Sequence, residues 1–190
     1  ERDTPGARLA RLGLAPASWG VRAAAVARAS AYRAGWLARH VLPLPSVSVG
    51  NLTVGGTGKT PLASWIAGWF AARGARPAIL LRGYGGDEGD VHRRSVPSAI
   101  VIESPDRLSA AHRSVAAGAD VLVLDDAFQH LGVARDLDIV LVAAESLQRS
   151  GRTLPAGPWR EPGIALARAD MGIVTRKRAT AADAASDWQG

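Results

Sequence analysis

Hydrophobic positions along the chain follow two rhythms. The segment 18–40 is rich in Ala and Arg, and its apolar residues recur at helical spacing. Trp19, Ala23, Val26, Ser30, Leu37 and Val41 fall near one face, Arg28 and Arg39 lie opposite, and Arg22 and Arg33 flank the stripe. Gly35 weakens this helix, and Pro43 with Pro45 ends it. A helix of this kind packs on its own domain, which is the first expectation. It can also lie in a membrane interface, with Trp at the boundary and Arg stems reaching headgroups.

From Ser46 onward, short aliphatic runs alternate with helical stretches. The runs at 46–49, 78–81, 99–102, 121–124, 139–142 and 172–175 read as strands that are apolar on both faces, as buried parallel strands are. Helices are expected over 61–73, 107–117 and 161–169. Strand and helix in alternation predict an α/β fold. It has a parallel sheet with helices on both faces and right-handed crossovers, and ligands sit at the carboxyl ends of the strands. The chain divides into an N-terminal amphipathic segment, 1–42, and a core, 43–190.

Composition narrows the chemistry. The balance of 23 basic against 17 acidic residues gives a net charge of +6, which suits an anionic partner. Basic residues are nearly all Arg; Lys occurs only at Lys59 and Lys177. With no Cys, thiolate metal sites and disulfides are excluded. His40, His92, His112 and His130 lack metal-ligand spacing. Arg residues are scattered, without an aromatic-interleaved basic patch, so nucleic acid is not the expected partner. No apolar run reaches the roughly 18 residues of a membrane span.

The sharpest local signal is Val49-Gly50-Asn51-Leu52-Thr53-Val54-Gly55-Gly56-Thr57-Gly58-Lys59-Thr60, between a strand and a helix. That is the setting of a P-loop. Glycines Gly55, Gly56 and Gly58, with Thr57, let backbone N–H groups turn toward phosphate oxygens. Lys59 would reach the β- and γ-phosphates and Thr60 would ligate Mg²⁺. The strict motif opens with Gly where this chain has Thr53. A second signal is the apolar run Val121-Leu122-Val123-Leu124 ending in Asp125-Asp126, the form of a Walker B strand whose carboxylate holds Mg²⁺. Two polar clusters follow other strands: Arg82-Gly83-Tyr84-Gly85-Gly86-Asp87-Glu88 and Leu154-Pro155-Ala156-Gly157-Pro158-Trp159-Arg160-Glu161-Pro162. Each is either turn chemistry with surface ion pairs or an Arg clamp plus a carboxylate that accepts a hydroxyl proton.

These landmarks, with Asp106-Arg107, Ala127-Phe128-Gln129-His130 and Arg135-Asp136-Leu137-Asp138, resemble in order and spacing the tetraacyldisaccharide 4'-kinase family, from about Pro45 to Thr175. The resemblance implies ATP- and Mg²⁺-dependent phosphorylation of the 4'-hydroxyl of a lipid A disaccharide precursor. It places the protein peripherally at the cytoplasmic face of the inner membrane, with the N-terminal helix on the bilayer. It implies Asp87 as catalytic base, Glu88 beside the Mg²⁺ site, Asp125 and Asp126 as the Walker B pair, and Gln129, His130 and Arg160 as site residues, with Arg82 and Tyr84 alongside. The family pattern differs from this chain at Ala127, Gly89 and Ala143, and in an insert between Gly85 and Gly86. The family also continues into a second lobe beyond the region that this chain matches. Two other readings remain at this level: a nucleotide-dependent membrane switch, ATPase or GTPase, and an inactive fragment of the kinase.

Overall fold

All six aliphatic runs become strands of one parallel sheet. The computed structural model describes residues 5–83, 87–147 and 151–176. The chain runs through helix α1 (Pro5–Arg33), β1 (His40–Val41), β2 (Ser46–Asn51), α2 (Lys59–Ala71), β3 (Pro77–Leu81), α3 (Glu88–Ser95), β4 (Ile100–Glu103) and α4 (Arg107–Ala116). It continues through β5 (Val121–Asp125), β6 (Val133–Ala134), β7 (Leu137–Ala143), α5 (Ala144–Leu147), a 3-10 helix (Gly163–Arg168) and β8 (Met171–Thr175). The sheet order is β4-β3-β5-β2-β7-β8, every neighbouring pair being parallel. A separate two-residue parallel ladder joins β1 to β6.

Strand alternation sorts the core into two layers. Ala78, Leu80, Leu122 and Leu124 face Ala110 and Ala111 of α4. Val49, Ile79 and Val123 face Ala63, Ile66 and Ala67 of α2 on the other side. β3 and β5 are buried along their whole length, which accounts for their unbroken apolar character. Truncating a side chain such as Leu122, with no exposed surface, would cost roughly 2–5 kcal/mol. From β2 the chain moves outward through β3 and β4 and returns to β5; it then crosses to β7 and β8. The direction of winding therefore reverses at β2, and the crevice at its carboxyl end is where such folds bind ligands.

Two helical expectations are corrected and one helix was not expected. The first helix is α1, Pro5–Arg33, rather than 18–40. Gly35 does not merely weaken it but stops it: at φ 75° Gly35 donates to Tyr32 O (3.3 Å) and Trp36 donates to Ala31 O (2.9 Å). This Schellman closure uses the left-handed backbone that Gly adopts without a Cβ clash. The segment beyond it is then available for β1. The last helix is the 3-10 turn Gly163–Arg168 inside 161–169, started by Pro162. The helix α3 was not expected at all. Its sequence Glu88-Gly89-Asp90-Val91-His92-Arg93-Arg94-Ser95 has Val91 as its one large apolar residue. The sign of its charges did carry the signal, with acids in the first turn and bases in the last, as the helix dipole favours.

The face that α1 presents to the core also differs from the expectation. Trp19, Ala23, Val26 and Ser30 are exposed, Trp19 at 72%. The helix docks through Ser18, which is buried: its hydroxyl donates to Thr153 O (3.0 Å) and accepts from Ala156 N (2.9 Å), while Thr153 Oγ1 donates back to Ser18 O (2.9 Å). Thus the apolar stripe is not the packing face.

Candidate functional site

The loop after β2 is braced from inside. Asn51 is fully buried, and its amide nitrogen donates to Thr53 O (2.7 Å) and Thr57 Oγ1 (3.0 Å). Gly55 and Gly58 take φ of 108° and 85°, which opens the loop for inward N–H groups. Gly58 O accepts the first bond of α2 from Leu62 N (3.1 Å), so Lys59 and Thr60 stand on the first turn of that helix. Thr53, where strict motifs have Gly, is buried and bridges antiparallel to Trp159. Val54 N donates to Pro158 O (2.8 Å) and Arg160 N to Leu52 O (2.7 Å). A strand-like residue at 53 is what stitches the 154–162 turn to the loop and delivers Arg160 to the site.

Direct pairing of β2 with β5 sets the two acids opposite the P-loop helix. Asp125 is 2% exposed, and its Oδ2 accepts from Thr60 Oγ1 (3.0 Å) and lies 3.0 Å from His92 Nε2. Its Oδ1 is buried with no hydrogen-bond partner. Asp126 sits in the left-handed region at φ 52°, the sole non-glycine residue to do so among those described. That conformation is one Asp tolerates better than most residues, and it is frequent at functional sites. Its carboxylate meets Arg160 Nη1 at 3.0–3.1 Å and Lys59 Nζ at 3.8 Å. The two neighbouring carboxylates therefore point into different company.

Both acids line a cleft of about 850 Å³ at the carboxyl end of the sheet. Asp87 and Glu88 line it from the start of α3, Arg82 from the end of β3, Gln129 and His130 from beyond β5, and Arg160 from the 154–162 turn. Asp87 is the N-cap of α3 without making a side-chain capping bond, so its carboxylate is not consumed by the turn. Gln129 Nε2 donates to Asn51 O (2.7 Å). Burial, then the positive charges of Arg107, Arg135, Arg28 and Arg82, lower the His130 pKa below its usual 6.5. Of the expected site residues, Arg82, Asp87, Glu88, Asp125, Asp126, Gln129, His130 and Arg160 line this cleft, Thr60 and Lys59 reach its two aspartates from the P-loop helix, and Tyr84 lies outside the described residues.

Several residues to which the sequence reading gave no place in the site are also brought here by the fold. Arg107, at 2% exposure, donates to Ser104 O (2.7 Å) and Asp125 O (3.2 Å) and forms part of the cleft wall. Its placement follows from Asp106, which caps α4 by accepting from Leu108 N and Ser109 N. Arg28 reaches the cleft from α1, and its Nη1 donates to Gln129 O (3.3 Å). Glu103 comes from β4. Fully buried His92 contacts Asp125 from α3, which no spacing in the sequence announced.

An Mg²⁺ ion fits the residues present. Mg²⁺ takes hard oxygen ligands, and Thr60 Oγ1 stands beside a buried Asp125 carboxylate with one oxygen unpartnered. No cluster of three or more His, Cys, Asp or Glu that could cage a metal by itself occurs among the described residues.

Comparison with known proteins covers the same stretch of the chain. The family model for tetraacyldisaccharide-1-P 4'-kinase matches residues 10–96 and 85–189. A tetraacyldisaccharide 4'-kinase of Alkalilimnicola ehrlichii is 44% identical over 168 residues, covering 79% of this chain and 50% of that protein. One of Anaeromyxobacter sp. (strain Fw109-5) is 42% identical over 185 residues, covering 85% and 49%. The chain spans about half the length of the curated relatives it matches. Among solved structures, LpxK from Aquifex aeolicus in complex with ATP superposes with a TM-score of 0.81 at 33% identity, over 87% of this chain and 58% of that one. The signal recognition particle 54 kDa protein of Aeropyrum pernix, in complex with GDP, superposes at 0.51 with 16% identity over 75% of this chain and 39% of that one, a likeness of fold alone.

Proposed function

Since the chain belongs to the tetraacyldisaccharide-1-P 4'-kinase family, we propose that it transfers the γ-phosphoryl group of ATP to the 4'-hydroxyl of a tetraacyldisaccharide 1-phosphate, the lipid A precursor. The observation that carries this reading is the convergence of Lys59, Thr60, Asp125, Asp126, Arg160 and Asp87 around one crevice at the strand ends. A switch that only binds and hydrolyses nucleotide has no need of a carboxylate for an acceptor hydroxyl; Asp87 supplies one.

Each side chain has a task in that transfer. The P-loop backbone and Lys59 hold the β- and γ-phosphates. Thr60 and Asp125 would hold Mg²⁺, which would supply neutralising charge at the phosphates. Asp126 keeps Lys59 and Arg160 close together, and the γ-phosphoryl oxygens compete with it for both cations. Asp87 orients the acceptor hydroxyl and takes its proton as the bond to phosphorus forms. In this reading Glu88 would serve beside the metal site, and Arg82, Gln129 and His130, which line the same cleft, would meet the acceptor. Labelled ATP and the lipid disaccharide, incubated with the chain, test the reading. Label in the lipid supports it; release of inorganic phosphate whether or not the lipid is present, with none in the lipid, contradicts it.

The segment 1–42 would bring the site to its lipid. No described helix is long and apolar enough to cross a membrane. The exposed stripe of Trp19, Ala23 and Val26, beside exposed Arg22 and Arg33, suits a helix lying in the cytoplasmic face of the inner membrane. Vesicle sedimentation checks this. Trp19→Ala should weaken binding to anionic vesicles several-fold, and added salt should weaken it further. Unchanged binding would mean that the stripe does not touch lipid.

A further inference from the structure

The P-loop helix offers two hydroxyls one turn apart, Thr60 and Ser64, and both lead to the same carboxylate. Thr60 Oγ1 reaches Asp125 Oδ2 directly at 3.0 Å. Ser64 Oγ reaches it through a ring: it lies 2.8 Å from His92 Nδ1, and His92 Nε2 lies 3.0 Å from Asp125 Oδ2. Ser64 is 5% exposed and His92 not at all, so neither meets substrate and the trio is no hydrolytic triad. Because a carboxylate oxygen only accepts, the ring carries a hydrogen on Nε2 toward Asp125, which leaves Nδ1 to the Ser64 hydroxyl, a group that can donate or accept. Both rotational freedoms of the ring are thereby fixed.

The consequence falls on the other oxygen. With Oδ2 held by two donors, Asp125 cannot rotate its carboxylate, and Oδ1 is the oxygen left without a protein partner. His92 also stands one turn after Glu88 on α3, the helix whose first residues are the cleft acids. We propose that His92 is a positioning residue of the metal site: it locks Asp125 so that Oδ1 is the ligating oxygen, and it ties the Asp87–Glu88 end of α3 to that carboxylate. The proposal rests on the reading of Thr60 and Asp125 as the Mg²⁺ site. Ligating groups are commonly fixed by such outer partners, whose loss costs about 10–100-fold in metal affinity or activity.

Binding calorimetry on the full chain separates this role from general support of the fold. ATP affinity is measured with Mg²⁺ and with a chelator, and the ratio is the metal-dependent gain. His92→Leu should lower that gain at least about tenfold while leaving the chelator affinity near wild type. His92→Gln, which keeps a donor near the Nε2 position, should recover most of it. Ser64→Ala, which leaves the ring but frees its orientation, should lower the gain by less than His92→Leu. A wild-type gain in His92→Leu overturns the proposal. So does equal loss in His92→Leu and His92→Gln, since ring packing would then be what matters. Should His92→Leu fail to fold, a wild-type gain in Ser64→Ala overturns it. If the wild-type chain binds ATP with no metal-dependent gain, the reading of Thr60 and Asp125 falls first and the proposal with it.

Discussion

Asp125 and Asp126 are adjacent in sequence and live in different worlds. Asp125 ends a strand buried on both faces and, itself almost wholly buried, accepts from Thr60 and His92. Asp126 turns out of the sheet at φ 52°, has a side chain 36% exposed, and meets only the cations Lys59 and Arg160 among the described ion pairs. A buried carboxylate held by two hydrogen-bond donors is rigid and suits a metal ion that demands strict geometry. A partly exposed carboxylate between two cations is exchangeable, because solvent screens its pairs and an incoming phosphate can replace it. The comparison teaches that one acidic dipeptide serves two purposes by letting the backbone change direction between its residues.

The largest effect is expected on the exchangeable side. Lys59→Ala removes the cation that Asp126 shares with the phosphates, and turnover should fall on the order of 10³-fold or more in the phosphoryl-transfer assay. Near-normal turnover would remove Lys59 from the site and leave Asp126 without its meaning. Next comes the acceptor side. Asp87→Asn keeps size but cannot take a proton, so single-turnover rate should fall about 10²-fold or more while ATP affinity stays close to wild type. A variant that is folded, binds ATP and transfers phosphate normally would show that Asp87 is not the base.

A smaller effect concerns the positive charge that crowds the exchangeable side. Burial and four Arg neighbours lower the His130 pKa below 6.5 in the folded chain. As pH falls through that value the unfolded chain takes up a proton that the folded chain refuses. Stability should therefore be fully present above about pH 6.5 and decline as pH drops toward the lower folded value. Chemical unfolding of wild type and His130→Gln between about pH 7.5 and 5.5 checks this. The variant should show the shallower decline, and identical slopes would mean that His130 titrates alike in both states.

Much of this was legible from residue order. The central strands β2, β3, β5 and β7 declared themselves because both of their faces are largely buried, the edge strands β4 and β8 by aliphatic character alone, and the P-loop because Gly-Lys-Thr stands between a strand and a helix. The first helix was harder. Its apolar stripe at Trp19, Ala23 and Val26 invited a packing interpretation, yet Ser18 and its hydrogen bonds with Thr153 and Ala156 carry the docking. Partners 135 and 138 residues away leave no local trace. The same holds for His92. It was set aside because it lacks ligand spacing, but its role runs through Asp125, 33 residues on. α3 escaped notice because its inward face is a Gly and a His rather than an apolar stripe. Arg28 and Arg107 reached the cleft in the same way, through the pairing of distant elements.

The division between the two carboxylates is tested most directly by titrating Mg²⁺ into the ATP complexes of Asp125→Asn and Asp126→Asn and reading ATP affinity by calorimetry. In Asp125→Asn the metal-dependent gain in affinity should fall by about 10–100-fold, since a ligating oxygen loses its charge. In Asp126→Asn the gain should stay within a few-fold of wild type, because that residue's partners are Lys59 and Arg160. Equal losses in the two variants, or the larger loss in Asp126→Asn, would contradict the account.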